Sequence, residues 1–203
     1  QLEDGSTVEC DRILVAAGRR PVLDGLGLDA AGIAHDRQGI QVDRRLRTSK
    51  RHIYAVGDVC GPLQFTHVAE YQAGIALANI AFRMPKKTDY RVVPVVVYTD
   101  PEVAAVGLTE QQARDTGVRH QVAEFPMADL DRALTDGTPA GHARFIISRG
   151  WVIGASIVGA HAGELIHEVA LAMQVGAKAK HISELIHAYP TYAQINRRTI
   201  NSS

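Results

Sequence analysis

Apolar and polar positions divide the chain into two stretches of different character. In the first, apolar runs are short and glycine interrupts them. Leu2 and Val8, with Asp4-Gly5 between them, predict two short strands joined by a tight turn. The run ILVAAG over 13–18 is cut off by Pro21. Residues 22–40, with glycines at 25, 27, 32 and 39, predict a loop, and Ile40 to Asp43 alternate as a strand does. HIYAVGD over 52–58 predicts a buried strand ending at Gly57-Asp58. From Thr66 to Arg83 the spacing is helical. Val68, Tyr71, Ile75, Asn79 and Phe82 share one face and Ala69, Ala73, Ala76 and Ile80 another, which predicts a helix buried on most sides. Pro85-Lys86-Lys87-Thr88 ends the pattern and marks a domain boundary.

The second stretch predicts an α+β domain. Strands are expected at 92–98, 102–107, 120–126, 142–148 and 151–159, with Arg149-Gly150 as a tight hairpin between the last two. Thr109-x-x-Gln112 is a capping box that opens a short helix, and Gly117 closes it. Ala162 to Gly176 is amphipathic, with Leu165, Ile166, Val169, Ala170 and Met173 toward the core. A helix is expected at about 182–188, ended by Pro190. Thr191-x-x-Gln194 has the spacing of a second capping box and predicts a last helix at about 192–200.

Composition narrows the class. The chain has 203 residues, with 22 Lys and Arg against 22 Asp and Glu, and 46% hydrophobic residues. That balance excludes a disordered chain and argues against a nucleic-acid binder, which carries a basic excess. No apolar run is long enough to span a bilayer. Two cysteines, at 10 and 60, make neither a disulfide framework nor a metal set, so a cytoplasmic setting is expected. The nine histidines are scattered, and no metal site is expected among them. GLGLDAAG over 25–32 does not have the spacing of a dinucleotide-binding loop and is read as a surface turn.

Four stretches in order carry a resemblance: AAGRRPV over 16–22, Thr48 followed by IYAVGD over 53–58, VVVYTDPEVAAVGLTEQQA over 95–113, and GWVIGASIVGAHAGELIHEVALAM over 150–173 leading into HAYPT over 187–191. Together they resemble the C-terminal half of the FAD-dependent pyridine nucleotide-disulfide oxidoreductases, the family of lipoamide dehydrogenase, glutathione reductase and mercuric reductase. The resemblance implies an α+β fold: a C-terminal dimerisation domain of antiparallel sheet and helices, preceded by a partial FAD-binding segment. It implies that residues 1–20 end a NAD-binding domain, 21–85 form the C-terminal segment of the FAD-binding domain, and 86–203 form the interface domain of a homodimer. The chain opens without Met, as expected of a piece of a longer protein.

The resemblance also implies roles for particular residues. Asp58 would accept hydrogen bonds from the ribityl hydroxyls of FAD, and Gly57 would let the backbone come close to the ligand. Thr66, His67, Val68 and Ala69 would offer the amides of a helix N-terminus to the flavin's pyrimidine edge. Cys60 has no cysteine nearby and is expected to be a small buried residue. The family's acid-base pair is a His followed by Pro-Thr, with a Glu five positions after the His. Here those positions hold Tyr189 and Gln194. A histidine titrates at about 6.5 and a tyrosine at about 10, so Tyr189 is a poor base at neutral pH but can donate a hydrogen bond. Gln194 is expected to cap with Thr191. His187 is a candidate substitute base, although side chains two apart point different ways, and a Tyr189-Pro190 cis bond is plausible.

Three functions remain open. The parent passes electrons from NAD(P)H through FAD to a small-molecule acceptor such as a quinone or metal. Alternatively, it reduces a disulfide using Tyr189 or His187. In the third, the chain is a non-catalytic dimerisation module without flavin. The piece alone is expected to be inactive, and neither nucleic acid nor membrane is expected as a partner.

Overall fold

The computed structural model describes residues 3–202, which form two compact units divided between Thr88 and Asp89. No helix among the described residues is long and apolar enough to cross a membrane. Leu2 lies outside the described residues.

The first unit is small and loop-rich. Its elements are helix α1 (Leu28–Ala31), the strand pair β1 (His35–Asp36) and β2 (Gly39–Ile40), a single 3₁₀ turn at Gly57–Val59, and helix α2 (Thr66–Ala81). Residues 22–40 are therefore not all loop. Gly27 and Gly32 are both left-handed, at φ 62° and 64°, and close the two ends of α1, a conformation glycine adopts without steric cost.

Three further expectations fail here. The strands predicted across 2–8 do not form among the described residues, and Ile13, Leu14 and Val15 are largely exposed with no ladder partner. The strand expected at 40–43 shrinks to Gly39–Ile40. The run 52–58 is not a strand: Tyr54 makes one isolated bridge to Arg47, and the chain then turns through Gly57–Val59. Helix α2 forms as predicted but is buried on one side only. Val68, Gln72, Ile75 and Ala76 are buried, and Ile75 and Ala76 cluster with Leu46, Val42, Tyr54 and Val56, whereas Leu77 and Ile80 face outward.

The second unit is an antiparallel sheet in the order β3-β4-β7-β6-β5: β3 (Val95–Val97), β4 (Glu102–Gly107), β5 (Gln121–Pro126), β6 (His142–Ser148) and β7 (Trp151–Gly159). The β6–β7 hairpin turns at Arg149-Gly150, where both residues have positive φ (51° and 80°), as a tight primed turn requires. The register slips between Ile146 and Ile147, so that Ile153 bulges from β7.

Helix α3 (Glu110–Asp115) opens with the predicted capping box. Thr109 Oγ1 accepts from the Gln112 amide (3.2 Å), and Gln112 Oε1 accepts from the Thr109 amide (2.9 Å). Beyond β5 lies α4 (Asp131–Thr135). Helices α5 (Ala162–Val175), α6 (Ala179–Glu184) and α7 (Gln194–Asn201) follow the sheet. α5 lies on β4 and β7 and α7 on β5 and β6. Between helices and sheet sit Phe145, Ile157, Met127, Leu130, Ile166, Val169 and Ile195, all essentially inaccessible to water. The α+β expectation and the amphipathic reading of 162–176 both hold.

Two local expectations do not. The helix placed at 182–188 runs instead from 179 to 184. The Thr191/Gln194 capping box does not form: Thr191 Oγ1 donates backward to the Ala188 carbonyl (2.7 Å), and α7 begins at Gln194 after a turn with no side-chain cap.

Candidate functional site

In the first unit the 57–59 turn lies against the start of α2. Gly57 is buried with φ 76°, and a Cβ there would meet the Ala69 Cβ at 3.1 Å. A side chain at 57 would be strained and crowded, so glycine is required by both backbone and space. The Gly57 amide donates to Gln72 Oε1 at 2.6 Å, from a glutamine almost wholly buried in the middle of α2. The Cys60 thiol donates to the Gly57 carbonyl (3.3 Å) and to the same Gln72 oxygen (3.5 Å). Burial, then the neighbouring Asp58 charge, pushes the Cys60 thiol up, so it is a packed thiol rather than a nucleophile.

Gln72 therefore ties the turn to the helix. The helical spacing of apolar residues does not single it out. Its only sequence signal is its place on the Val68–Ile75–Ala76 side of α2.

Asp58 is the one exposed residue of this turn. At the helix start Phe65 is extended and offers no side-chain cap. The Val68 and Ala69 amides both close on the Phe65 carbonyl (3.0 Å each). The Val68 side chain is buried, Ala69 is half-buried, and Thr66 and His67 are exposed, with the His67 ring stacked on Phe65 at 5.2 Å. The turn and the helix start thus place an exposed carboxylate beside the positive end of a 16-residue helix.

In the second unit Tyr189 is exposed and joined to Pro190 by a cis bond. A hydrogen bond to the Asp131 carboxylate holds the Tyr189 hydroxyl above its ordinary value. A phenol so placed is a proton-bearing donor at neutral pH, not a base.

His187 is a different case. Its side chain is only 4% exposed, its Nε2 lies 3.0 Å from Glu168 Oε1, and its Nδ1 lies 3.1 Å from the Leu185 carbonyl. Both ring nitrogens are engaged. Glu168 Oε2 in turn accepts from Asn196 Nδ2 (2.8 Å), which also donates to the Leu165 carbonyl (3.1 Å). Gln194, the first residue of α7, is half-buried.

Next to Tyr189, Tyr192 is buried and its hydroxyl donates to Asp136 (3.0 Å) with Thr138 Oγ1 at 2.7 Å. Arg132 first, then this phenol, holds the Asp136 carboxyl below the usual range. Asp131, Asp136, Glu168 and Asn196 were all missed by the sequence reading, because each lies far along the chain from the group it meets. Among the described residues no cluster of His, Cys, Asp or Glu is set to hold a metal.

Residues 93–198 match the dimerisation domain of the pyridine nucleotide-disulphide oxidoreductases, and residues 1–73 match a second model of pyridine nucleotide-disulphide oxidoreductases. Dihydrolipoyl dehydrogenase 3 of Haloarcula marismortui is 43% identical over 187 residues, covering 91% of this chain and 39% of that protein. The dihydrolipoyl dehydrogenase of Geobacillus stearothermophilus is 40% identical over 192 residues, covering 93% and 41%. Among solved structures, LpdA from Mycobacterium tuberculosis superposes with a TM-score of 0.88 at 31% identity, over 98% of this chain and 44% of that one. A Cu(II) complex of the HOCl-induced flavoprotein disulfide reductase RclA from Escherichia coli gives 0.87 at 31%, over 92% and 44%. The chain spans about two-fifths of the length of the curated relatives it matches. With an antiparallel sheet carrying two helices on one face, and a glycine-bearing turn set against a helix start before it, the chain belongs to the pyridine nucleotide-disulphide oxidoreductase family.

Proposed function

We propose that this chain is the C-terminal part of a flavin-dependent NAD(P)H oxidoreductase that binds FAD and passes electrons to a disulfide, quinone or metal acceptor. In this reading residues 1–20 end the NAD-binding domain, 21–85 complete the FAD-binding domain, and 86–203 make the homodimer interface. The observation that carries it is the pairing of the Gly57–Asp58 turn with the first turn of α2. The turn has a buried glycine at its base and an exposed carboxylate at its rim. That donor set fits a ligand with a polyol chain and an electron-rich ring. FAD, when bound, supplies a two-electron carrier between nicotinamide and acceptor.

The chain's own residues divide the work. Asp58 holds hydroxyls. Gly57 keeps the backbone close. The first turn of α2, Thr66 to Ala69, places the positive end of the helix dipole at the ligand. In the second unit Leu171, Val175, Leu185 and Ile186 expose apolar side chains, which suits burial in an isologous dimer. Free thiols at Cys10 and Cys60 suit a reducing, cytoplasmic setting.

Tyr189 stands where the family's proton-transferring histidine is expected, and Asp131 keeps its proton on. The favoured acceptor is therefore one that needs no side-chain base, such as a quinone or metal ion. The E. coli relative was solved with Cu(II) bound.

Two expected results test the reading in the full-length protein. Asp58→Ala removes charge-assisted hydrogen bonds worth roughly 1.5–3 kcal/mol, so FAD affinity should fall about tenfold or more, measured as flavin retained after gel filtration. Unchanged occupancy would remove Asp58 from the site, and a colourless parent would favour the non-catalytic dimerisation module. Tyr189→Phe should alter turnover with a quinone by less than about threefold, since no proton passes through the hydroxyl. A loss of about a hundredfold, the scale of a general acid or base, would make the phenol catalytic.

A further inference from the structure

We propose that Glu168, backed by Asn196, is a positioning residue that clamps His187 and thereby fixes the exposed turn that presents Tyr189. The clamp stands on geometry within the second unit. Glu168 lies on α5 and Asn196 on α7. One Glu168 oxygen takes the His187 ring at 3.0 Å, and the other takes the Asn196 amide at 2.8 Å. His187 is on neither helix. It belongs to the coil between α6 and α7, yet its side chain is nearly as buried as a core residue. Both ring nitrogens of this coil histidine lie against oxygens of the protein, Glu168 Oε1 and, at 3.1 Å, the Leu185 carbonyl.

The residues around it have the opposite character. Ile186, Ala188, Tyr189 and Pro190 are all exposed. At the far end the chain is pinned again, where Tyr192 inserts beneath Asp136 and Thr138. Residues 188–191 therefore form a short exposed turn held at both ends by partly buried polar contacts, with the Thr191 hydroxyl bonded back to the Ala188 carbonyl inside it. No apolar core holds this turn in place. Its position depends on the two anchors and on the Tyr189 contact with Asp131 between them, and the His187 anchor depends on Glu168. Asn196 orients that carboxylate and is held in turn by the Leu165 carbonyl, one turn earlier on α5.

This role differs from that of a substitute base, because both His187 nitrogens are spent within the clamp. Its link to the acceptor rests on the reading of Tyr189 above.

The test uses the full-length flavoprotein dimer, with two readouts. The first is hydrogen exchange, which reports local opening independently of flavin. Glu168→Leu should speed exchange of the 186–191 amides about tenfold and leave strands 142–148 and 151–159 unchanged. Glu168→Gln keeps one oxygen for the His187 ring but sets its NH2 against the Asn196 amide, so it should restore only part of the protection. The second readout is steady-state kinetics with 1,4-benzoquinone, where Glu168→Leu should raise KM several-fold with kcat unchanged.

Should Glu168→Leu fail to assemble, His187→Leu carries the same test from outside the helices. Unchanged exchange at 186–191, or a rise spread over the whole sheet, overturns the clamp. Faster exchange at 186–191 with an unmoved KM supports the clamp and removes this turn from the acceptor site. Faster exchange with a raised KM supports both.

Discussion

Asn196→Asp should cost the second unit about 3–5 kcal/mol, the scale on which a buried polar pairing is broken from one side. The substitution is nearly isosteric, so no cavity enters. Asn196 is fully buried, and its amide nitrogen donates both to Leu165 and to Glu168. Its side-chain oxygen already lacks a partner. Aspartate has no donor when ionised, so its new oxygen would face the Leu165 carbonyl and a Glu168 oxygen, three oxygens with no proton between them, and that carboxylate is itself committed to His187. The protein's remedy is to hold the new carboxyl protonated, which raises its folded pKa above its unfolded value of about 3.9.

The sign of the pH dependence follows. In the window between those two pKa values the folded state binds the extra proton, so stability falls as pH rises through it. The variant should be close to the parent near pH 4 and most defective at pH 8. Thermal melts at both pH values check it, with a fall of roughly 10 °C or more expected at pH 8. A variant melting within about 2 °C of the parent at pH 8 would mean that the Asn196 donors do not matter.

Gly154→Ala should be comparably damaging for a purely steric reason. Gly154 follows the β7 bulge and pairs with Ile146 and Gly107. The chain leaving β4 crosses directly over it, held by the Leu108 amide on the Ile153 carbonyl (2.9 Å). A Cβ at 154 would meet the Leu108 carbonyl oxygen at 1.9 Å and its carbon at 2.8 Å, and both are backbone atoms with no rotamer to escape into. In a strand interior alanine is ordinarily the better residue by roughly 0.5–1 kcal/mol. Here the sign should reverse, with a loss of about 3 kcal/mol, because the β4 exit must move and the Leu108–Ile153 bond must lengthen. Chemical denaturation with an unchanged slope and a lower midpoint would support this. A midpoint equal to or above the parent's would show that the crossing yields at no cost.

The two units were unequally legible in the sequence. In the second, strands at 102–107, 142–148 and 151–159 were readable to the residue, because antiparallel neighbours leave one face wet and print an alternating pattern. The Thr109 cap was readable too, since both partners sit three positions apart on a helix that starts at once.

The same Thr-x-x-Gln spacing misled at 191–194. There the buried Tyr192 bonds its hydroxyl to Asp136 and Thr138, and the helix starts two residues later than the motif implies. In the first unit the apolar run at 52–58 resembled a buried strand, but its neighbours are a 3₁₀ turn and a lone bridge; Tyr54 and Val56 pack beneath α2 and Ile53 and Ala55 against Leu28, Ile33 and Ile40, rather than in a ladder.

Of the candidate site, the types and places of Gly57, Asp58, Thr66 and Tyr189 were visible in the motifs. Their supports were not. Gln72, which holds the Gly57 turn, lies 15 positions away, and Glu168, which holds His187, lies 19 away.

By itself, then, the sequence determined the family, the strand pattern of the second unit, and the helix that follows the Gly57–Asp58 turn. All of these are local in the chain, where residue type and spacing act within a few positions. Only the tertiary structure decided which distant carboxylate meets which ring: Asp131 for Tyr189, Asp136 for Tyr192 and Glu168 for His187. Such pairs are set by how α4, α5 and α7 pack on one sheet. A carboxylate prints the same letter whether it faces water or holds a buried imidazole.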